Sequence, residues 1–132
     1  MKISKNHKLI ASALICGFAF INANATNYYV DPSSTATNAN GSFSSPWKSI
    51  TDVNNGSGIL YPGDTVFFKR GQVYSGKLNI NKSGTAIAPI VYTNYGTGEL
   101  PEFNNAISDI IYIYNKQYIV IDGIKIIDRS IS

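Results

Sequence analysis

Residues 118–126 read YIVIDGIKI. Aliphatic residues alternate on both sides of Gly123. Ile119, Ile121, Ile124 and Ile126 are therefore expected to face inward and Asp122 and Lys125 outward, with Gly123 making the bend. Upstream stretches follow the same plan: TVFFK at 65–69, KLNIN at 77–81, PIVYTNY at 89–95, PEF at 101–103 and IIYIY at 110–114. Turn residues separate them, notably Gly63-Asp64, Lys69-Arg70-Gly71, Ser83-Gly84-Thr85 and 95–98. Phe67, Val91 and Tyr112 mark one strand series with steps of 24 and 21 residues. Ile80, Phe103 and Ile124 mark a second, with steps of 23 and 21. Two interleaved series at one period predict a coiled solenoid in which each circuit lies parallel to the last. An ordinary β-sandwich shows the same short strands and frequent turns.

The N-terminus has a different character. Lys2, Lys5 and Lys8 precede an uncharged apolar run from Leu9 to Ile21, and Ala23-Asn24-Ala25 follows. Positive, apolar and small-x-small segments in that order predict a cleavable signal peptide over residues 1–25, cut before Thr26. The 13-residue apolar run is short for a membrane span. Cys16 follows Ile15, which is too large for a lipoprotein signal, so Cys16 reads as part of the apolar run.

Removing the leader changes the chemistry. Without its three lysines, eight basic residues face eight acidic ones, and the formal charge falls from +3 to zero. No basic footprint for nucleic acid remains. The only His and the only Cys, His7 and Cys16, leave with the leader, as does Met1. Residues 26–132 therefore hold no Ser-His-Asp triad, no cysteine nucleophile, no disulfide and no Cys/His zinc site. The remainder is rich in Asn, Ser, Thr, Gly, Tyr and Ile, a composition that favours strands and turns over long helices.

Residues 27–30 (NYYV) predict a strand, and 31–45 a polar loop. One helix is predicted over 46–54, with Ser45 as N-cap, Pro46 as first residue, and Asn54-Asn55-Gly56 as its stop. Trp47, Ile50 and Val53 recur every three residues and give it one apolar stripe. The domains expected are thus a signal peptide (1–25), an N-terminal strand, loop and capping helix (26–62), and the first circuits of a solenoid (63–132).

YYV at 28–30, PWKSI at 46–50, PGDTVFFKRG at 62–71, SGTAIAPIVYTNYGTG at 83–98 and YIVIDGIKI at 118–126 together resemble the opening of secreted bacterial proteins of the pectin-lyase-like superfamily. The resemblance implies an all-β, right-handed parallel β-helix with about three circuits here. A β-helix has an open end that exposes its core, and solenoids close it with a capping element. Trp47 then reads as a cap residue rather than a sugar-stacking platform. The chain stops at Ser132 with no second cap, and an uncapped circuit would leave open strand edges. The expectation is an N-terminal fragment, or truncated reading frame, of a longer protein; the alternative is a complete small domain that pairs with itself or a partner.

The resemblance implies two chemistries on middle circuits. Lyases use a Lys or Arg base with calcium or another cation on the uronate; glycoside hydrolases use paired carboxylates. Within this chain the candidates are thin. Lys69 and Arg70 end a strand and read as solvated. Asp64 sits in a turn and reads as bonding its own backbone. Asp122, Lys125, Asp128 and Arg129 fall short of a calcium site. Glu99 and Glu102 flank Pro101 and make a weak acid pair. Tyr112, Tyr114 and Tyr118 suit sugar contact but equally suit strand packing. NGS at 40–42 and 55–57 and NKS at 81–83 match glycosylation acceptors, relevant only in a eukaryotic secretory pathway. Catalytic and metal-binding residues are therefore left unassigned, and no cofactor is assigned to this chain, calcium being reserved for the full-length parent. The expected function is the N-terminal part of an extracellular or periplasmic protein acting on polysaccharide, without its catalytic residues and without a membrane span after cleavage. The alternative is a non-catalytic adhesin or glycan-binding surface protein.

Overall fold

The structure, a computed structural model, describes residues 24–128. Most of the expected signal peptide, with Cys16, and Arg129 lie outside these residues.

The described chain is mostly β, with parallel sheets and one short helix. Its strands are β1 (Asn27–Val30), β2 (Thr65–Lys69), β3 (Val73–Ser75), β4 (Leu78–Ile80), β5 (Ile90–Tyr95), β6 (Glu102–Asn105), β7 (Ile111–Ile113), β8 (Ile119–Ile121) and β9 (Lys125–Asp128). The helix α1 (Ile50–Gly56) lies between β1 and β2. The strands form three sheets, ordered β1-β2-β5-β8, β3-β6-β9 and β4-β7, and every pairing is parallel. From β2 onward the chain visits the three sheets in fixed rotation.

Two strand series therefore become three, which corrects part of the expected spacing. Tyr112 does not continue the row of Phe67 and Val91; it lies beside Asn79 in the third sheet. The coils are also unequal. Thr65, Val91 and Val120 stand in register at steps of 26 and 29 residues, Val73, Glu102 and Lys125 at 29 and 23, and Leu78 and Ile111 at 33. Register is kept because each coil must return its apolar residues to the same face.

In-register parallel strands stack like positions, so the core consists of rows. Tyr28, Val66, Tyr92 and Ile121 form one row, and Tyr74, Phe103 and Ile126 another. Val66, Tyr92 and Phe103 are fully buried. Ile119, Ile121 and Ile124 pack against this core as expected. Ile126 continues the Phe103 row but is 55% exposed, so the expected inward residue is not covered. The hydroxyl of Tyr92 is buried with no hydrogen-bond partner among the described residues, and burial pushes its pKa up to about 12.

The helix stripe is buried as expected, but the helix begins later. Its N-cap is Ser49, whose side chain accepts from Asp52 N at 3.1 Å, while the Asp52 carboxylate accepts from Lys48 N at 2.9 Å. Trp47 lies upstream in a strand-like segment: its N–H donates to Tyr29 O and its carbonyl accepts from Asp31 N. Those bonds hold the backbone extended and exclude it from the helix. The indole stacks on Tyr28 at 5.1 Å and joins Ile50 and Val53 in the core.

The same helix covers one edge of β4. The Asn54 side-chain amide donates to Lys77 O and its oxygen accepts from Asn79 N, both at 2.9 Å. One amide side chain thus fills the place of a neighbouring strand. Asn54→Ala removes both partners of a part-buried edge and is expected to lower stability by about 2 kcal/mol. Urea titration followed by circular dichroism measures it; a change below about 0.5 kcal/mol would show that water replaces the amide freely.

Candidate functional site

The outer face of the four-stranded sheet carries a cluster of aromatic, charged and hydroxyl side chains. Alternation sends Val30 and Phe68 inward and leaves Tyr29, Phe67 and Thr93 in one outward row. Lys69 and Tyr95 form the next row, and Asp31 follows Val30 beside Lys69. Tyr29 stacks on Phe67 at 5.3 Å and meets Tyr95 edge-on at 5.2 Å.

Phe43 joins them from the 31–46 loop. A tight hairpin presents it: Ser42 and Ser45 form an antiparallel bridge, Asn40 and Gly41 both donate to Ser45 O, and Tyr29 N donates to Gly41 O. Gly41 takes φ of 84°, and an added Cβ would strike the Trp47 ring. The loop is thereby pinned to the sheet, and Phe43 lies 5.0 Å from Tyr29 and 6.2 Å from Tyr95. Phe43 is 70% exposed. Four rings, from three strands and one loop, therefore make one aromatic patch open to solvent.

A polar group borders it. Asp31 accepts from Lys69 Nζ at 2.7 Å, from Ser33 Oγ at 2.6 Å and from Ser33 N at 2.9 Å. Burial pushes the Asp31 pKa up, but the bonds from Lys69 and Ser33 outweigh it and hold the carboxyl below its usual value. Asp31 is thus an ionised acceptor at neutral pH, not a proton donor. Burial, with Asp31 and Tyr29 nearby, raises the Tyr95 phenol. The patch therefore offers apolar ring faces and the neutral Tyr95 phenol beside an ion pair whose charges are matched.

The residues singled out in the sequence are mostly engaged in structure. Arg70 Nε donates to Asn94 Oδ1 at 2.6 Å and Nη1 to Gly98 O at 3.1 Å, while Asn94 Nδ2 donates to Gly123 O at 2.9 Å. These bonds tie consecutive coils at one corner. Asp64 accepts from Tyr61 N, the expected turn bond, and also from Thr26 N. Lys125 pairs with Glu102 at 3.4 Å. Lys77 lies over the ring of Tyr112, while Tyr114 and Tyr118 are exposed. No group of three or more His, Cys, Asp or Glu side chains among the described residues could hold a metal ion. Also among these residues, no helix is long and apolar enough to cross a membrane.

The aromatic patch was not anticipated. Alternation in NYYV and TVFFK places Tyr29 and Phe67 on one face, but aromatic strand residues read first as core. The partnership with Tyr95 and Phe43 needs the register between coils and a loop position.

The fold defined here is a coiled stack of parallel sheets. Comparison with known proteins places it nearer to particular ones, although no family model matches the chain. It is 36% identical over 80 residues to the lacto-N-biosidase of Bifidobacterium longum subsp. longum, a match covering 58% of this chain and 5% of that protein. It is similar in structure to the GH136 lacto-N-biosidase of Eubacterium ramulus, with a TM-score of 0.68 and 25% identity over 80% of this chain and 20% of that one. A rhamnogalacturonan lyase shares the fold, with a TM-score of 0.59 and 21% identity over 77% of this chain and 28% of that one. The chain spans about a twentieth of the curated relative and a fifth of the first structure. These likenesses are consistent with the pectin-lyase-like fold that the sequence resembles.

Proposed function

We propose that the chain forms the first coils of an exported, right-handed parallel β-helix protein that acts on a glycan, and that the aromatic patch is its sugar contact. The patch is the observation that carries the reading. Rings with one apolar face and a polar surround suit the C–H faces and hydroxyls of a sugar. The likeness to two lacto-N-biosidases supports a glycan as the ligand and a glycoside hydrolase as the parent class. The right hand is supported by the strong bias of parallel strand connections toward it. Export is supported by Lys2, Lys5 and Lys8, the apolar run to Ile21 and the Ala23-Asn24-Ala25 site.

Charge at the patch favours a neutral sugar over an acidic one. Lys69, the cation at the patch, is already paired with Asp31, and Arg70 is held at the corner. An incoming uronate would meet the Asp31 carboxylate without an uncommitted cation. Catalysis is assigned to coils of the parent other than these. Asp31, Asp52, Asp64 and Glu102 each hold a structural partner, which supports that assignment.

The test uses the purified full chain on a panel of neutral and uronate-containing oligosaccharides. Neutral oligosaccharides are expected to bind, and Phe43→Ala to weaken them about tenfold, whereas Tyr114→Ala leaves binding unchanged. Turnover by the chain itself would overturn the assignment of catalysis elsewhere. Equal loss in both variants would remove the patch as the contact, and no retention of any glycan by folded chain would remove the glycan reading.

A further inference from the structure

The nitrogen of Thr26 donates to Asp64 Oδ1 at 2.8 Å. Asp64 is 1% exposed, and its other oxygen accepts from Tyr61 N at 2.8 Å. The ion pairs among the described residues are Lys69 with Asp31 and Lys125 with Glu102, so Asp64 has no cationic side chain beside it. Two neutral N–H donors hold a buried carboxylate that elsewhere is matched by a positive charge. Thr26 is also the residue that the Ala23-Asn24-Ala25 site would leave first.

We infer that removal of the leader supplies the missing cation: hydrolysis of the Ala25–Thr26 bond turns the Thr26 amide into an α-ammonium that pairs with Asp64. Water adds across the peptide bond, Ala25 departs with the new carboxylate, and Thr26 keeps the nitrogen and gains the charge. The nitrogen already lies at bonding distance, so no strand has to move. Thr65 N donates to Thr26 O at 3.0 Å, which anchors the new terminus to β2, and Asp64 O accepts from Val91 N, which ties the carboxylate to the next coil. The mature terminus thus becomes a part of the first coil. The inference rests on the export reading for the position of the cut and is independent of the glycan contact.

The Asp64 carboxylate meets the Thr26 nitrogen and the Tyr28 phenol meets the Thr26 side chain, with the Tyr61 phenol near Tyr28. Burial, followed by Asp64, raises the Tyr28 pKa, so this phenol stays neutral where an amine titrates. An ammonium beside a carboxylate has its pKa raised above the usual value of about 8. Its stabilisation is therefore complete below that value and disappears as pH rises through the raised one.

The test compares thermal unfolding of the chain beginning at Thr26 with a free amine, the same chain N-acetylated, and the chain that retains Ala25. Acetylation keeps the N–H donor and removes only the charge. At about pH 6 the free amine is expected to melt roughly 5 °C above both others, and the gap is expected to close by about pH 10. Asp64→Asn in the free-amine chain should abolish the gap, and the acetylated comparison stands even if that variant does not fold. Equal melting at about pH 6, or a gap that persists at high pH, would overturn the ion pair. N-terminal sequencing of the exported protein should return Thr26; another first residue would overturn the cut and leave the glycan reading untouched.

Discussion

Phe68→Ala is expected to lower stability by about 4 kcal/mol. Phe68 is fully buried, and its ring meets Tyr74 at 5.2 Å and Phe103 at 4.8 Å, both edge to face. Tyr74 and Phe103 meet each other at 5.2 Å. The three rings come from β2, β3 and β6, so they join two sheets and two successive coils. Alanine leaves a cavity where that junction was, because a close-packed interior relaxes only in part. It also frees Tyr74, whose hydroxyl donates to Val30 O and Lys69 O and so fastens the end of the first coil. A domain of this size has about 5–15 kcal/mol in total, so the variant should sit near its unfolding threshold at ambient temperature. Urea unfolding followed by circular dichroism measures the loss. Phe43→Ala, which removes an exposed ring, is the matched control and should change stability by less than about 0.5 kcal/mol. A loss below about 1 kcal/mol for Phe68→Ala would mean that the ring junction does not hold the coils together.

Gly84→Ala is the second, with an expected cost of about 3 kcal/mol or more. Gly84 precedes β5 in the turn that the sequence marks as Ser83-Gly84-Thr85. A Cβ there would lie 2.6 Å from both Ile90 N and Tyr118 O and 2.7 Å from the Pro89 Cα. All three are backbone atoms, so no side chain can swing aside. Ile90 N donates to Tyr118 O at 3.0 Å, and Gly84 N donates to Gln117 O at 3.0 Å. The methyl group therefore lands between two coils at the bonds that join them. Gly58, around which an added Cβ meets nothing within 4 Å, is the control site. Amide hydrogen exchange distinguishes the mechanism: in Gly84→Ala the Ile90 amide should lose protection before amides in β2 do. Unchanged exchange at Ile90 would contradict the wedge.

Much of the fold was legible because its longer strands carry the period-two signal. TVFFK, PIVYTNY and YIVID announce three strands of the four-stranded sheet in this way, although the expected spacing sets IIYIY rather than YIVID beside the first two. Three-residue spacing cannot tell a helix from an extended segment leading into it, so the apolar stripe of Trp47, Ile50 and Val53 predicts one continuous helix. Only the bonds of Trp47 with Tyr29 and Asp31 separate the two. The third sheet is not separable in the sequence because every residue of IIYIY is apolar or aromatic, so alternation there declares no face. The aromatic patch escaped for another reason. It joins Tyr29 to Phe67 across 38 residues and Lys69 to Tyr95 across 26, and no local pattern carries that register. Asp64 was readable as a turn residue, but its bond to Thr26 depends on closure of the first coil.

The unequal coils have a consequence for how such a molecule can change. Between Leu78 and Ile111 the chain takes 33 residues to return to the same face, and between Glu102 and Lys125 it takes 23, yet the core rows stay aligned. The difference is absorbed at the corners, where doubling a loop costs only about 0.6 kcal/mol in closure entropy. Interior and periphery are therefore nearly separable. Inserted residues can build a new wall beside the sheet, as the 31–46 loop does with Phe43, while the inner rows remain as they were. Specificity in such a stack can diversify by lengthening its corners, coil by coil, without renegotiating the interior.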